Sequence, residues 1–293
     1  MPPSTYGGQA VIEGVMMRGA QAMSVAVRAP SGAIVCREQR LGGIYTNAAR
    51  RIPLVRGITI LLETVVLGSS ALTWSAAVAA GEVDTDGTPK GMGPVEWLVV
   101  LGAMAFAITV FFVGPVAVTS PLDGRVPAWV VIAVEGGIRM ALLLGYVWGI
   151  GRTEGVKRVF QYHGAEHMTI AAHEDGRDLT VPAVRRYPKE HPRCGTSFLL
   201  TVALVSIVVF AFAGREPLWW RFASRLVLVP FVAAASYEVI RFAGAHQRWP
   251  VVRWLFAGNI ALQYLTTRPP DDEQIQVALA ALDRVKQVEA RGG

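Results

Sequence analysis

Two almost uninterrupted apolar stretches, Trp97 to Val118 and Ala128 to Ile150, restrict this chain more than any other feature. Each reaches the roughly 20 residues that an α-helix needs to cross ~30 Å of hydrocarbon. Two shorter stretches, Thr196 to Ala213 and Leu226 to Ala243, have the same character. The chain is 52% hydrophobic and 17% charged, against about 25% charged for an ordinary soluble domain, and its mean hydropathy is +0.39. The expectation is a mainly α-helical, polytopic membrane protein with about four transmembrane helices, at 97–118, 128–150, 196–213 and 226–243. The lipid bilayer is its first partner.

A fifth run, Ile58 to Ala80, is long enough to span but carries Glu63 and the small residues Gly68, Ser69, Ser70 and Ser75. Charge distribution decides how to treat it. The segment through Arg56 holds seven arginines, and the insert from Arg152 to Arg193 holds eight Lys and Arg, whereas loops 81–96 and 120–127 hold one each. Basic residues collect on the cytosolic side. If 58–80 crossed, the two basic regions would face opposite sides, so this run is expected to be re-entrant or interfacial, with both termini cytosolic. Trp249 to Leu265, interrupted by Arg253 and Asn259, is expected to lie in the interface or against the bundle.

The remaining segments are more polar. Gln9–Met17, Ser24–Ala29 and Ala33–Gln39 are β-prone, and Pro30-Ser31-Gly32 between the last two predicts a hairpin. Glu13, within the first of them, is read as a solvent-facing strand residue. Asp271 to Glu289 predicts a helix capped by Asp271 or Asp272, with Ile275, Ala278, Leu279, Leu282 and Val285 on one stripe. The expected organisation is a β-rich cytosolic N-terminal segment (1–51), the re-entrant segment with two transmembrane helices (52–150), and a cytosolic insert (151–195). Two more transmembrane helices with an interfacial helix (196–265) and a cytosolic C-terminal helix (266–293) follow. The net charge of +6 reads as topology and anionic-lipid contact, because the arginines flank apolar runs and no nucleic-acid motif is present. Two cysteines are too few for a disulfide framework. The first residues lack the basic-then-apolar pattern of a signal peptide.

The chemistry is concentrated in the insert. His163-Gly164-Ala165-Glu166-His167 is a His-x-x-Glu-His pattern. Positions i and i+4 stack on one helix face, so His163 and His167 can grip one divalent ion, with Glu166 beside them as general base. A catalytic zinc site takes three protein ligands. The candidates for the third are Glu238, slightly preferred, then Cys194 and His191, then His173. Glu238 follows His167 at a plausible separation for an inverted-motif metallopeptidase. His191 and Cys194 form a constrained His-Pro-Arg-Cys turn at the start of the next span, beside Thr196. A structural reading stands next to each: a buried inert thiol for Cys194, an ion pair with Arg241 for Glu238, and one with Arg139 for Glu135. Zinc is preferred on ligand type.

Four stretches together resemble the YqhQ-like family of bacterial membrane proteins: Gly8–Gly19 (GQAVIEGVMMRG), Phe160–His167 (FQYHGAEH), His191–Phe198 (HPRCGTSF) and Leu265–Gln274 (LTTRPPDDEQ). The resemblance covers nearly the whole chain. It implies a multi-pass protein of the bacterial inner membrane, in a family of unknown function to which a metal-dependent activity is attached. In one respect this chain departs from that pattern: Met168 stands where a lysine follows the second histidine. The resulting expectation is a membrane-embedded zinc hydrolase or peptidase acting on a membrane-protein or peptide substrate at the cytosolic surface. The competing expectation is a non-enzymatic factor for membrane-protein assembly or insertion, with a structural metal site. Ion transport along Glu63, Glu135 and Glu238 fits less well, since no inverted repeat is visible.

Overall fold

The structure, a computed structural model, describes residues 6–42, 52–82, 93–191, 194–214, 216–246 and 249–291. Arg50 and Arg51, most of the polar loop 81–96, and Pro192 and Arg193 lie outside the described residues, as do the side chains of Arg253 and Asn259.

The N-terminal segment is a four-stranded antiparallel meander: β1 (Gly7–Val11), β2 (Gly14–Arg18), β3 (Ala22–Arg28) and β4 (Ile34–Arg40). The predicted hairpin is β3–β4, turned at Gly32 with φ +85°. The run 9–17 is broken in two at Ile12-Glu13, where Glu13 takes φ +52°. Strand alternation sends Ala22, Ser24 and Ala26 to one face and Met23, Val25 and Val27 to the other, and both sets are buried. A small sheet covered on both faces needs a helical layer on each side.

One layer comes from α1 (Val55–Ala79), whose Leu67, Ala71, Trp74 and Val78 join Met23, Val25 and Val27. Burying side chains the size of Leu67 and Val78 contributes about 1.5–3 kcal/mol each. Glu63 belongs to this contact too, ion-paired with Arg18 of β2. The acid in the apolar run therefore faces the sheet. The run expected to be re-entrant or interfacial is one unbroken helix of 25 residues, which does not turn back on itself. Its N-terminal half leaves the sheet and packs on α9 (Val229–Ala245), where Gly57 lies against Ala234.

The opposite layer is α5 (Glu154–Glu174) and α12 (Asp272–Ala290). Of the two caps considered for α12, Asp271 is the one used, and it forms a capping box: Gln274 N–H donates to Asp271 at 2.8 Å, and Asp271 N–H donates to the Gln274 side chain at 3.0 Å. The stripe from Ile275 to Val285 is buried against the sheet, and Ser24 donates to the Ala281 carbonyl.

The apolar helices form a bundle beside this layered part. They are α2 (Pro94–Ile108), continued through a π-helical turn Thr109–Val113 and α3 (Gly114–Thr119), then α4 (Ala128–Ile150) and α7 (Ser197–Phe212). The short α6 (Val181–Val184) precedes α7; α8 (Leu218–Val227), α9, α10 (Pro250–Leu255) and α11 (Ala257–Thr266) follow it. Among the described residues, three helices are long and apolar enough to cross a membrane: α1, the 29-residue run Pro94–Leu122, and α4. A fourth follows if α8 and α9, bent by 49°, count as one span. Two expected spans thus differ from the prediction: α7 has only 16 residues, and 226–243 is mostly α9 with a break before it.

Candidate metal centre

The centre sits where the layered part meets the bundle. α5 supplies His163, Glu166 and His167. The segment entering α7 supplies Cys194, and the end of α11 supplies Thr266. α5 is steered there by its flanks. Glu13, at the β1–β2 turn, binds the Arg158 guanidinium with both oxygens and accepts from Tyr162 Oη at 3.3 Å. It is therefore a clamp between sheet and α5 and not the solvent-facing strand residue expected from sequence. Burial, and then the Glu13 charge, push the Tyr162 phenol well above its ordinary range.

Two glycines let neighbouring backbone reach the motif. The Arg268 carbonyl crosses α5 at Gly164, where a Cβ would come within 2.3 Å of it. The Arg268 N–H donates to the Phe160 carbonyl at 2.9 Å and ties the crossing chain to the helix. On the other side, β1 passes so close that a Cβ on Gly8 would meet Glu166 Cγ at 2.5 Å.

His163 Nδ1 is 2.9 Å from the Thr266 carbonyl, and His167 Nδ1 is 2.6 Å from the Lys189 carbonyl. A carbonyl only accepts, so each Nδ1 carries the proton and each Nε2 keeps a free lone pair. His163 Nε2 faces Cys194 Sγ at 3.3 Å, and the two imidazole centroids are 4.3 Å apart. Among the described residues, His163, His167 and Cys194 form a group whose ligand atoms all lie within 4.8 Å of one another. Thr196 holds the sulfur through its hydroxyl at 2.9 Å and its N–H at 3.4 Å.

Electrostatics favour the ligating forms. Burial, and then the His163 ring, push His167 down to about 2. Burial also lowers His163. Both imidazoles are thus neutral at physiological pH, as a metal ligand must be. Burial pushes the Glu166 carboxyl up to about 8, and its Oε2 lies 3.6 Å from His167 Nε2. A cation placed among the donors would bring that carboxyl back down.

The other candidates fall elsewhere. Glu238 is not brought to the histidines: both its oxygens bind Arg56, and Leu54 N–H donates to it at 3.1 Å. An acid held by a guanidinium has its charge met, and Arg56 replaces the Arg241 pairing considered from sequence. His191 borders the centre, its ring centroid 5.7 Å from that of His167. Its Nε2 points to Glu174 at 3.4 Å, and Gln263 brackets its N–H and carbonyl at 2.8 and 3.0 Å. His173 stacks edge-on against Tyr6 at 5.2 Å.

With this geometry in view, comparison with known proteins is informative. The family model described as "Protein of unknown function (DUF1385)" matches residues 52–288. The chain belongs to this family. It is also 34% identical over 301 residues to a protein named "Uncharacterized protein YqhQ" from Bacillus subtilis (strain 168), an alignment covering 98% of this chain and 94% of that one. No solved structure matches. The DUF1385 match includes His163, Glu166, His167, Cys194, Thr196 and Thr266 and α12 as far as Val288, while the sheet carrying Gly8 and Glu13 lies ahead of it, within the span aligned to YqhQ. What sequence reasoning missed is mostly backbone: the Thr266 and Lys189 carbonyls orient the imidazoles, and a carbonyl leaves no mark in residue type. Only the Leu265–Gln274 stretch hinted that this part of the chain belonged with the motif.

Proposed function

We propose that this chain is a membrane-embedded, metal-dependent hydrolase whose ion is held by His163, His167 and Cys194. The observation that carries the reading is the convergence of two oriented Nε2 atoms and one sulfur. Carbonyl-anchored imidazoles are the usual outer support of a metal-binding histidine, and two nitrogens with one thiolate suit zinc. When bound, such an ion supplies Lewis acidity and lowers the pKa of water. The chain's own residues do the rest. Thr196 steadies Cys194, Gly8 admits the Glu166 side chain, and Glu166, beside His167 Nε2, accepts and returns the proton. The substrate class this suits is a peptide or membrane-protein segment presented at the bundle's end.

A second reading has its own support. His167, Cys194 and Glu166 are all buried, as in a closed structural site. The chain would then be a non-enzymatic factor in membrane-protein assembly or insertion.

The proposed location is the bacterial inner membrane, with the sheet, centre and C-terminal helix in the cytosol. The sheet packs on both α5 and α12, which favours an even number of crossings between each pair of them. On that argument α1, α2–α3 and α4 cannot all cross. The attachment of α1 to the sheet makes it the one that stays, leaving four crossings by α2–α3, α4, α7 and α8–α9. A reporter enzyme fused at residue 88 tests this: cytosolic activity is expected, and periplasmic activity would overturn it.

The function itself is tested by elemental analysis of the purified protein with its Glu166→Gln variant. About one zinc per chain in both, with loss of the cellular phenotype in the variant, supports the hydrolase. Retained phenotype with retained metal supports the structural reading, and metal-free protein with an intact fold removes both.

A further inference from the structure

The two edges of the sheet are built differently. β4 is guarded: it carries Arg37, Glu38 and Arg40, and Glu38 pairs with Arg284 of α12. β1, at the other edge, reads Gly-Gly-Gln-Ala-Val and pairs with β2 in unbroken register. Proteins usually protect a free edge with charge, proline, a bulge or a covering element. β1 has no charge, no proline and no bulge, and Gly7 and Gly8 are exposed.

The register shows which backbone groups are left over. The two-residue turn Ile12-Glu13 makes Val11 and Gly14 a hydrogen-bonded pair. Alternation makes Gln9–Met16 and Gly7–Arg18 the next such pairs, so Gly8 and Ala10 turn their N–H and C=O groups away from β2. Among the described residues no hydrogen bond reaches these outward groups. A row of alternating main-chain donors and acceptors is complementary to one kind of occupant, another extended backbone.

The open edge is also the one beside the metal centre. α12 covers β2, β3 and β4, whereas α5 lies mainly over β1. The Glu166 side chain stands over Gly8, with Cγ 2.5 Å from where a Cβ would be. Neighbouring strands lie about 4.8 Å apart, so a strand added to β1 runs past the Glu166 side chain.

We propose that the substrate of the centre is a polypeptide segment in extended form, held as an added strand by pairing with β1 at Gly8 and Ala10. Calling that segment a substrate rests on the hydrolase reading; the pairing itself does not need the ion. Main-chain pairing supplies affinity with little demand on side chains. The segment is therefore recognised as an unfolded stretch, not by a sequence motif.

The test uses the full chain carrying Glu166→Gln, in lipid nanodiscs, so that the probe is bound without turnover. The probe is a fluorescein-labelled decapeptide of alternating threonine and valine between terminal lysines. Binding by fluorescence anisotropy is expected, with slowed deuterium exchange at the Gly8 and Ala10 amides. Ala10→Pro removes an outward N–H and no ladder bond, a change that edge strands tolerate. It should weaken the probe about tenfold, the loss of one backbone hydrogen bond. Should that variant fail to fold, exchange at the Gly8 and Ala10 amides decides alone. A probe that does not bind, or binds without slowing those amides, overturns the proposal. A dimer that Ala10→Pro dissociates and the probe does not also overturns it, because the edge would then belong to a second copy of this chain. The hydrolase reading fails separately. Metal-free protein that still pairs with the probe through β1 supports the strand addition and removes the hydrolase, whereas a zinc-loaded chain whose β1 amides ignore the probe does the reverse.

Discussion

Cys194 Sγ lies 3.3 Å from His163 Nε2 across 31 residues of chain. A buried thiol beside an imidazole lone pair is an arrangement that a soft divalent ion would complete. Cys194→Ser is therefore expected to lose most bound metal while the fold persists. The check is metal content by elemental analysis beside the circular-dichroism spectrum; a fully loaded Cys194→Ser protein would remove the thiolate from the ligand set.

Thr196 anchors that sulfur without being a ligand. Removing an outer-shell partner usually costs 10–100-fold in metal affinity. Thr196→Val should accordingly weaken zinc about tenfold in a competition titration with a chromogenic chelator, leaving the stoichiometry near one per chain.

The sequence made much of this legible, and the failures have physical causes. His163, Glu166 and His167 were readable because helical spacing alone puts i and i+4 together. The α12 stripe and its cap were readable for the same reason: the signals are local. What sequence could not supply for Glu63 is its partner: hydropathy counts an acid in an apolar run as a defect, whereas Arg18 sits in a strand 45 residues earlier. Glu13 was misjudged because strand alternation says nothing of a left-handed turn residue whose partners, Arg158 and Tyr162, lie on a distant helix. The orienting carbonyls of Thr266 and Lys189 could not be read from residue types at all.

Gly164 is held to glycine by the Arg268 carbonyl. Backbone cannot retreat as a flexible side chain can, so Gly164→Ala must push the α11–α12 connection off α5 and take the Thr266 carbonyl from His163 with it. Overpacking of this kind typically costs 1–3 kcal/mol. Thermal unfolding should fall by several degrees, and metal content should fall with it. An unchanged melting temperature would show that the crossing chain has more room than the distances imply.

Glu135 is the anion shared by Arg139, Arg225 and, at longer range, Arg221. Glu135→Gln would leave those guanidinium groups without their carboxylate in an apolar surrounding. Stripping one partner from a buried ion network costs about 3–5 kcal/mol. The expected result is a sharp fall in yield and in unfolding midpoint, whereas the exposed pair Lys157–Glu154 should contribute under about 1 kcal/mol when broken. Comparable effects from Glu135→Gln and Glu154→Gln would show that the network is hydrated.

Glu238 and Cys194 compete as third ligand on sequence grounds, and their surroundings separate them. Glu238 ties α9 to the start of α1 through Arg56 and the Leu54 N–H. Its substitution should loosen the seating of α1 and leave the centre loaded. Glu238→Gln is thus expected to retain about one metal per chain while lowering the unfolding midpoint, because the bidentate contact with Arg56 and the Leu54 N–H bond are lost. Arg56→Gln should reproduce the same destabilisation, and the double variant should cost less than the sum of the two, because both single changes break one contact. Loss of metal in Glu238→Gln with metal retained in Cys194→Ser would reverse the assignment and put the carboxylate in the centre.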